Sequence, residues 1–157
     1  DVCSSDLYLK STFVNLSYNN NLIREDSVCA WIDFGYARDD DRFPVKENFL
    51  WKYDEFNDDK IHIFQIRDIE DNLNLLIPIK YNIIYFQGCH LVSNKIGWSK
   101  FQKSVELCLY ELLDNDLVDD DQTLILLSYV KFQSFFSVHK VDENKDGWFI
   151  IFKDYYQ

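Results

Sequence analysis

The strongest structural signal in the sequence is an amphipathic helix over residues 98–113. Apolar residues recur there at spacings of three and four, which places their side chains on one face of an α-helix. The stripe consists of Trp98, Phe101, Val105, Cys108 and Leu112, with Leu109 and Leu113 beside it. A helix with one apolar face buries that face against another layer, so the remainder of the chain has to supply a sheet or further helices.

Short apolar runs on both sides of this helix predict the sheet. Residues 28–34 and 81–88 are nearly continuous apolar runs, which favour strands buried on both faces. Mixed and alternating runs predict further strands at residues 60–66, 89–93, 135–141 and 147–152. The sequence therefore predicts an α/β protein with a mixed, mostly parallel sheet.

Further helices are expected to flank that sheet. Leu9, Phe13 and Leu16 have helical spacing and predict a helix over residues 8–20. A short helix is predicted at residues 47–57, and another begins at the acidic residues 119–122. Residues 36–44 are polar and predict a loop.

Composition limits the kinds of partner that the protein can have. The chain has 157 residues, of which 47% are hydrophobic, and a formal net charge of −11. The acidic balance argues against binding to bare nucleic acid or to an anionic membrane, since both require a basic surface. No apolar run approaches the roughly 20 residues of a membrane-spanning helix. The four cysteines lie far apart in the sequence, which predicts reduced thiols and not a zinc site.

The start of the chain predicts an artefact. Residues 1–7, DVCSSDL, have the sequence that one reading frame of a sequencing-library adapter end encodes. The chain contains no methionine, so it also lacks an initiator. We therefore interpret residues 1–7 as adapter-derived and residues 8–157 as the later part of a longer protein, with an ordinary polar leader as the alternative. Under this interpretation, residues 1–7 pack against nothing essential.

Asp33 is the first candidate for a functional residue. It lies near the end of the apolar run 28–34, two residues before Gly35 and shortly before the acids at 39–41. Carboxylates at the C-terminal ends of strands lie where α/β folds bind ligands, and a nearby glycine leaves room for a ligand at the backbone. Such oxygens suit Mg²⁺ or Mn²⁺ on a diphosphate. An Asp that caps a turn explains the pattern equally well.

Residues 119–122, DDDQ, are the second candidate. Asp119 followed three residues later by Gln122 resembles a capping box, and acids stabilise helix N-termini. A cap requires only one acid at that point. An acid–glutamine pair facing a cleft could also bind sugar hydroxyls or act as a base, so both interpretations stay open.

Other motifs in the sequence give weaker signals. Residues 142–147, DENKDG, imitate the first half of a calcium loop, but Lys153 stands where that loop requires Glu. A hairpin turn is therefore predicted there. The three histidines His62, His90 and His139 lack metal-ligand spacing, so we expect core positions. Neither a nucleophile elbow nor a phosphate-binding glycine loop is present.

Three segments together resemble one protein family. WIDFGYAR (31–38), YFQGCHLVSNKIGWSKF (85–101) and the region from LVDDDQ (117–122) to GWFIIF (147–152) are similar to the bacterial HtrL/YibB family. Its members are associated with lipopolysaccharide-core gene regions and are regarded as GT-A-type glycosyltransferases. The resemblance implies a partial GT-A-like domain without its N-terminal half, located in the cytoplasm or peripherally at the inner membrane. The implied reaction moves a sugar from a nucleotide-sugar donor to a glycan acceptor, such as a lipopolysaccharide core.

The resemblance also implies donor-side residues. Asp33 matches the first acid of a D-x-D motif, which holds a divalent metal, Mn²⁺ or Mg²⁺, on the donor diphosphate. Gly35 stands where the second acid of that motif is expected, so residues 39–41 would have to supply a further oxygen. Gly35 and Arg38 are assigned to donor binding by the same match.

The remaining assignments concern the acceptor and the chemical step. Gly88 and His90 lie in the segment that is similar to the acceptor side, and Asp121 and Gln122 match a catalytic acid–glutamine pair. The full-length protein is expected to be the active enzyme, while this part alone is expected to be inactive. A non-enzymatic acidic protein-interaction module, whose acids are solvated surface, is the alternative.

Overall fold

The structure is a computed structural model that describes residues 3–33, 53–117 and 119–141. The predicted loop at 36–44, the turn at 142–147 and the strand at 147–152 lie outside these ranges. So does most of the predicted helix at 47–57, of which the described part is a 3₁₀ turn over Tyr53–Phe56.

The helical predictions are confirmed over the described ranges. The helices there are α1 (Cys3–Asn19), α2 (Leu76–Tyr81), α3 (Lys95–Asp114) and α4 (Asp121–Lys131). The helices α1, α3 and α4 are the ones that the sequence predicts. Asn94 caps α3, because its side-chain oxygen accepts a hydrogen bond from the Gly97 N–H at 3.0 Å.

Four described strands form one mixed sheet, in the order β1-β3-β2-β4. They are β1 (Cys29–Ile32), β2 (Ile61–Gln65), β3 (His90–Ser93) and β4 (Phe136–Lys140). The strand β3 runs antiparallel to both β1 and β2, and β2 runs parallel to β4. The α/β class is confirmed, but the prediction of a mostly parallel sheet is wrong for these strands. An apolar run indicates that a strand is buried, but it does not indicate whether the strand runs parallel or antiparallel to its neighbours.

The predicted strand at residues 81–88 is also wrong. Its first residue ends α2, and Asn82 follows as the C-cap with a left-handed φ of 48°. The chain then passes β2 as a loop, with one isolated bridge between Phe86 and Gln65. Tyr85 and Phe86 are nevertheless buried in the core. The apolar character of this segment therefore reflects a buried loop that follows a helix end.

The helices cover one face of the sheet. The helix α3 packs against α1, α4 and β2. The predicted apolar stripe of α3 is confirmed, since all five of its residues are buried: Trp98, Phe101, Val105, Cys108 and Leu112. Leu113, which was expected to broaden the stripe, is 49% exposed.

The helix α1 buries a different face from the one that its apolar spacing indicates. Leu9, Phe13 and Leu16 are 42%, 55% and 49% exposed. The buried apolar residues of α1 are Leu7, Val14 and Tyr18. Leu7 thus lies in the core, contrary to the expectation that residues 1–7 pack against nothing; the adapter origin of that segment stays a prediction.

The strand β1 is less buried than its apolar run indicates. Its residues are half-buried, and Ile32 at its end is exposed. In the described sheet, β1 is an edge strand that pairs with β3 alone. Burial of residues 28–34 on both faces is therefore not seen for β1 among the described residues and stays a prediction for the full-length protein; the C-terminal end of this strand is partly exposed.

Candidate functional site

The C-terminal end of β1 places Asp33 beside the start of β3. The backbone N–H of Asp33 donates to the Cys89 carbonyl at 2.9 Å, so the chain stays in register one residue beyond β1. Trp31 lies two residues earlier on the same face, and its Nε1 donates to Asp33 Oδ1 at 2.7 Å. These two bonds fix the carboxylate, because one oxygen and the backbone are both held by neighbouring strand residues.

Lys10 of α1 connects this carboxylate to the start of α4. Its Nζ donates to Asp33 Oδ2 at 3.0 Å, to Asp121 Oδ2 at 2.9 Å and to the Gly88 carbonyl at 3.2 Å. The two carboxylate oxygens therefore lie within about 6 Å of each other, since both contact one ammonium nitrogen. These four residues, Lys10, Asp33, Gly88 and Asp121, are called the Lys10 site below.

Only glycine fits at position 88 in the Lys10 site. A Cβ atom added there would lie 2.5 Å from Asp121 Oδ2 and 2.8 Å from Asp121 Oδ1. Atoms cannot approach so closely, so any side chain at this position would displace the Asp121 carboxylate. The glycine thereby permits the close approach of α4 to the start of β3.

The three acids before and within α4 have separate roles. Asp120 is the N-cap, and its carboxylate accepts from the Thr123 N–H at 3.0 Å. Asp119 accepts from the Thr123 hydroxyl at 2.7 Å. The predicted capping box between Asp119 and Gln122 is therefore wrong, since Asp120 and Thr123 make the cap. Asp121 makes no bond to its own helix and contacts Lys10 instead.

Charge and burial act in opposite directions in the Lys10 site. Burial alone would lower the pKa of Lys10, but the Asp121 charge and the hydrogen bonds to Asp121 and Asp33 outweigh it, and the pKa is raised. Burial raises the pKa of the Cys89 thiol to about 12, with the nearby Asp33 charge acting in the same direction. Cys89 is therefore a protonated thiol and not a nucleophile at neutral pH.

Among the predicted site residues, the structure brings Asp33, Gly88 and Asp121 together. Gln122 follows Asp121 in the first turn of α4 and is half-buried, without a contact to Lys10. His90 does not join them, because it pairs in register with Ile32 and so points to the opposite face of the sheet from Asp33. Gly35 and Arg38 lie outside the described residues.

The face to which His90 points carries all three histidines of the chain. The His90 ring stacks on Phe64 at 5.0 Å, and Phe64 stacks on His139 at 5.2 Å. His62 Nδ1 lies 2.8 Å from His139 Nε2, and His62 Nε2 lies 2.8 Å from Asp58 Oδ1. The prediction of core positions is confirmed for His62 and His90, which are buried, and His139 is half-buried.

Sequence reasoning missed Lys10, although a signal for it exists. Leu7, Val14 and Tyr18 lie at positions that bracket Lys10 on one face of a helix. A lysine within an apolar stripe is almost never buried unless a carboxylate pairs with it. That second stripe on α1 would have predicted a buried cation in need of acidic partners.

The described residues do not offer a metal-ligand set at Asp33. Within residues 3–33, 53–117 and 119–141, no group of three or more His, Cys, Asp or Glu side chains is arranged to hold a metal ion. The two nearest carboxylate oxygens both contact the Lys10 ammonium. The divalent metal at Asp33 stays a prediction.

One apolar cavity lies apart from the Lys10 site. It has a volume of about 700 Å³ and a mainly apolar lining that includes Ile23, Ala30, Ile32, Phe56 and Val92. Ala30, Ile32 and Val92 belong to the sheet face that carries the histidines. The Lys10 site is instead a partly exposed cluster, with the Asp33 side chain 35% and the Asp121 side chain 19% exposed.

These features define an α/β protein with a lysine-bridged pair of carboxylates at a strand end. The chain belongs to the HtrL_YibB family, described as "Bacterial protein of unknown function", which matches residues 4–156. It is 29% identical over 148 residues to "Protein HtrL" of Escherichia coli (strain K12), an alignment that covers 92% of this chain and 50% of that protein. The chain thus spans about half the length of this relative. No solved structure matches the chain.

In the part of the chain that the structure describes, no helix combines the length and the apolar composition that crossing a bilayer requires.

Proposed function

We propose that the full-length protein is a glycosyltransferase, which moves a sugar from a nucleotide-sugar donor to a glycan acceptor such as a lipopolysaccharide core. The proposal rests on one observation: Asp33 and Asp121, which are distant in sequence, converge on Lys10 at the C-terminal end of β1. Both carboxylates are partly exposed there, so a ligand can reach them from solvent. Two carboxylates that are fixed by hydrogen bonds and partly exposed can accept hydrogen bonds from the hydroxyl groups of a sugar.

Asp121 is the proposed general base. Its Oδ2 contacts Lys10, while its Oδ1 accepts no hydrogen bond from a described residue. In the proposed step, the acceptor hydroxyl oxygen forms a bond to the anomeric carbon of the donor sugar, and its proton passes to Asp121. The bond from the anomeric carbon to the phosphate oxygen breaks, and the nucleoside diphosphate leaves with that electron pair. The dipole of α4 adds positive potential beside the proposed base.

Asp33 is the proposed ligand of the donor sugar. Both of its oxygens already accept one hydrogen bond, from Trp31 and Lys10. Each carboxylate oxygen has a second lone pair, so a sugar hydroxyl can donate to it without displacing either partner. Fixing two carboxylates in advance lowers the entropic cost of aligning donor and acceptor.

The alternative, an acidic interaction module, requires acids that are solvated surface. Some of the described acids fit that description, for example Asp26 and Asp68, whose side chains are 79% and 81% exposed. Asp33 and Asp121 do not, because both turn towards a buried lysine. This difference favours the transferase.

The test is release of nucleoside diphosphate by the full-length protein from a panel of UDP- and GDP-linked sugars, with a lipopolysaccharide core oligosaccharide as acceptor. We expect turnover of at least one donor, and a loss of about 100-fold or more in Asp33→Asn and Asp121→Asn, as is usual for a lost catalytic carboxylate. Asp26→Asn removes the same charge at an exposed position and should leave turnover unchanged. Absence of turnover across the panel, or wild-type rates in both site variants, would contradict the proposal.

A further inference from the structure

The Lys10 ammonium occupies the position between Asp33 and Asp121 that a bound cation would take. Its three N–H groups have three acceptors, the two carboxylates and the Gly88 carbonyl, at 2.9 to 3.2 Å. An ammonium has three donors in total, so its hydrogen-bonding capacity is filled by the Lys10 site itself. The Lys10 ammonium is therefore the cation of this site, and it has no N–H group left to bind a phosphate.

The order of the charges from the inside outwards supports this interpretation. The Lys10 side chain is 9% exposed, whereas those of Asp121 and Asp33 are 19% and 35% exposed. A ligand that approaches from solvent therefore reaches the carboxylates first. One cation and two anions leave the cluster with a formal charge of −1, which repels a diphosphate.

A divalent metal fits this arrangement poorly. A metal ion on Asp33 Oδ2 or Asp121 Oδ2 would lie within a few ångströms of the ammonium that already contacts both oxygens. Two cations at that distance repel each other strongly in a partly buried site. The cluster instead suits an uncharged ligand with several hydroxyl groups, because hydroxyls donate to carboxylates without adding charge.

We infer that Lys10 takes the place of a divalent metal in this protein, so that Asp33 and Asp121 bind the hydroxyl groups of a sugar and do not hold a metal on a diphosphate. The inference rests on the proposed glycosyl transfer for the identity of the ligand, and on the contacts of Lys10 for the cation. Lys10 is then a positioning residue, which keeps the two carboxylates together.

The experiment is calorimetric titration of the full-length protein with Mn²⁺ alone, which needs no donor sugar. In the wild-type protein we expect Asp33 to hold no Mn²⁺. Any Mn²⁺ binding that is measured should therefore be unchanged in Asp33→Asn. In Lys10→Met the two carboxylates lose their cation, and we expect a new Mn²⁺ site that binds at least tenfold more tightly than any Mn²⁺ bound by the wild type. Adding Asp33→Asn to Lys10→Met should abolish that site. A lysine with a purely structural role would not change metal binding.

Two outcomes would overturn the inference. One is Mn²⁺ binding by the wild-type protein that is absent from Asp33→Asn. This comparison tests the inference even if Lys10→Met does not fold. The other is a folded Lys10→Met variant that gains no Mn²⁺ site. Donor turnover after treatment with EDTA is measured separately, and we expect it to be retained. Failure of every donor would reject the glycosyltransferase but leave the Mn²⁺ titration interpretable.

Discussion

Gly88 and Lys10 show how single residues determine the geometry of the candidate site. Among the described residues, Lys10 contributes the positive charge that allows two carboxylates to lie within about 6 Å in a partly buried place, since like charges at that distance otherwise repel. Gly88 contributes the absence of a side chain, without which the Asp121 carboxylate could not reach the lysine. The contribution of Gly88 is not visible from charge or hydrophobicity along the sequence, whereas the apolar stripe around Lys10 on α1 indicates a buried cation.

Gly88→Ala is expected to damage the site more than the fold. The new Cβ would lie 2.5 Å from Asp121 Oδ2, so Asp121 has to leave Lys10. We expect the free energy of unfolding to fall by about 1–3 kcal/mol, as overpacking usually causes, and donor turnover to fall by about 100-fold or more. Urea unfolding and nucleoside diphosphate release measure the two effects.

Gly97→Ala is the matched control for that variant. A Cβ at Gly97 would collide with Ser93 Oγ and lie 2.7 Å from the Lys60 carbonyl, at the far end of β3 from Gly88. It should lower stability at least as much, because the Lys60 backbone cannot move aside as a side chain can, and it should not move Asp121. If the two variants lose turnover only in proportion to their loss of stability, Gly88 has no specific role in the site.

At the scale of elements, α1 provides the clearest test of how the chain packs. Leu7 is fully buried and Leu9 is 42% exposed, although both are leucines in one helix. We expect Leu7→Ala to lower the free energy of unfolding by about 2–5 kcal/mol, the usual cost of deleting a buried leucine side chain. Leu9→Ala should change it by less than about 0.5 kcal/mol, as exposed substitutions do. Equal costs for the two variants in urea unfolding would contradict the orientation of α1.

The helices were more predictable from the sequence than the strands, for a physical reason. The stripe of α3 from Trp98 to Leu112 repeats over four turns, so only a helix explains it. The run at 81–88 is short and apolar, and such a run fits a strand, a helix end or a buried loop equally well. Asn82 has a left-handed backbone conformation because it is the C-cap of α2. The spacing of apolar residues does not predict such a cap.

The candidate site was predictable only in part, for the same reason. Asp33 follows from its position after an apolar run, and Asp121 from a cluster of acids at a helix start. Their convergence depends on a lysine in α1, which is brought to them by packing between α1, α3 and α4. Long-range contacts of that kind are decided by which helix face is buried, and α1 offers two apolar faces to choose from.

At the scale of the whole molecule, the two faces of the sheet differ in chemistry. One face packs on helices through apolar side chains such as Ile61, Ile63 and Leu91. The other face carries the histidines, with His90 and His139 on either side of Phe64. Burial lowers the pKa of His90 to about 3, and burial together with the neighbouring His62 lowers that of His139 to about 4. Burial also lowers the pKa of His62, so all three histidines are mainly neutral in the folded protein at pH 7.

This histidine layer predicts that the protein loses stability in mild acid. A histidine with a lowered pKa binds a proton more readily in the unfolded chain, whose ordinary value is 6.5. The stabilisation by neutral histidine is complete above about pH 6.5 and is lost as the pH falls towards 4, because only the unfolded state gains protons in that window. His139 contributes to this loss, because burial and the neighbouring His62 hold its pKa below the ordinary value. Urea unfolding at half-unit steps from pH 7 to pH 4 measures it.

His139→Phe separates the histidine layer from the carboxylates that titrate at similar pH. His139 lies half-buried between Phe64 and His62, so a phenyl ring keeps the stacking and removes the titration. The variant also loses the 2.8 Å hydrogen bond to His62 Nδ1, which should cost about 1 kcal/mol at pH 7. Between pH 6.5 and 4, its free energy of unfolding should then fall less steeply than that of the wild type, and the two curves should converge or cross. Parallel curves over that range would show that acid sensitivity arises elsewhere in the protein.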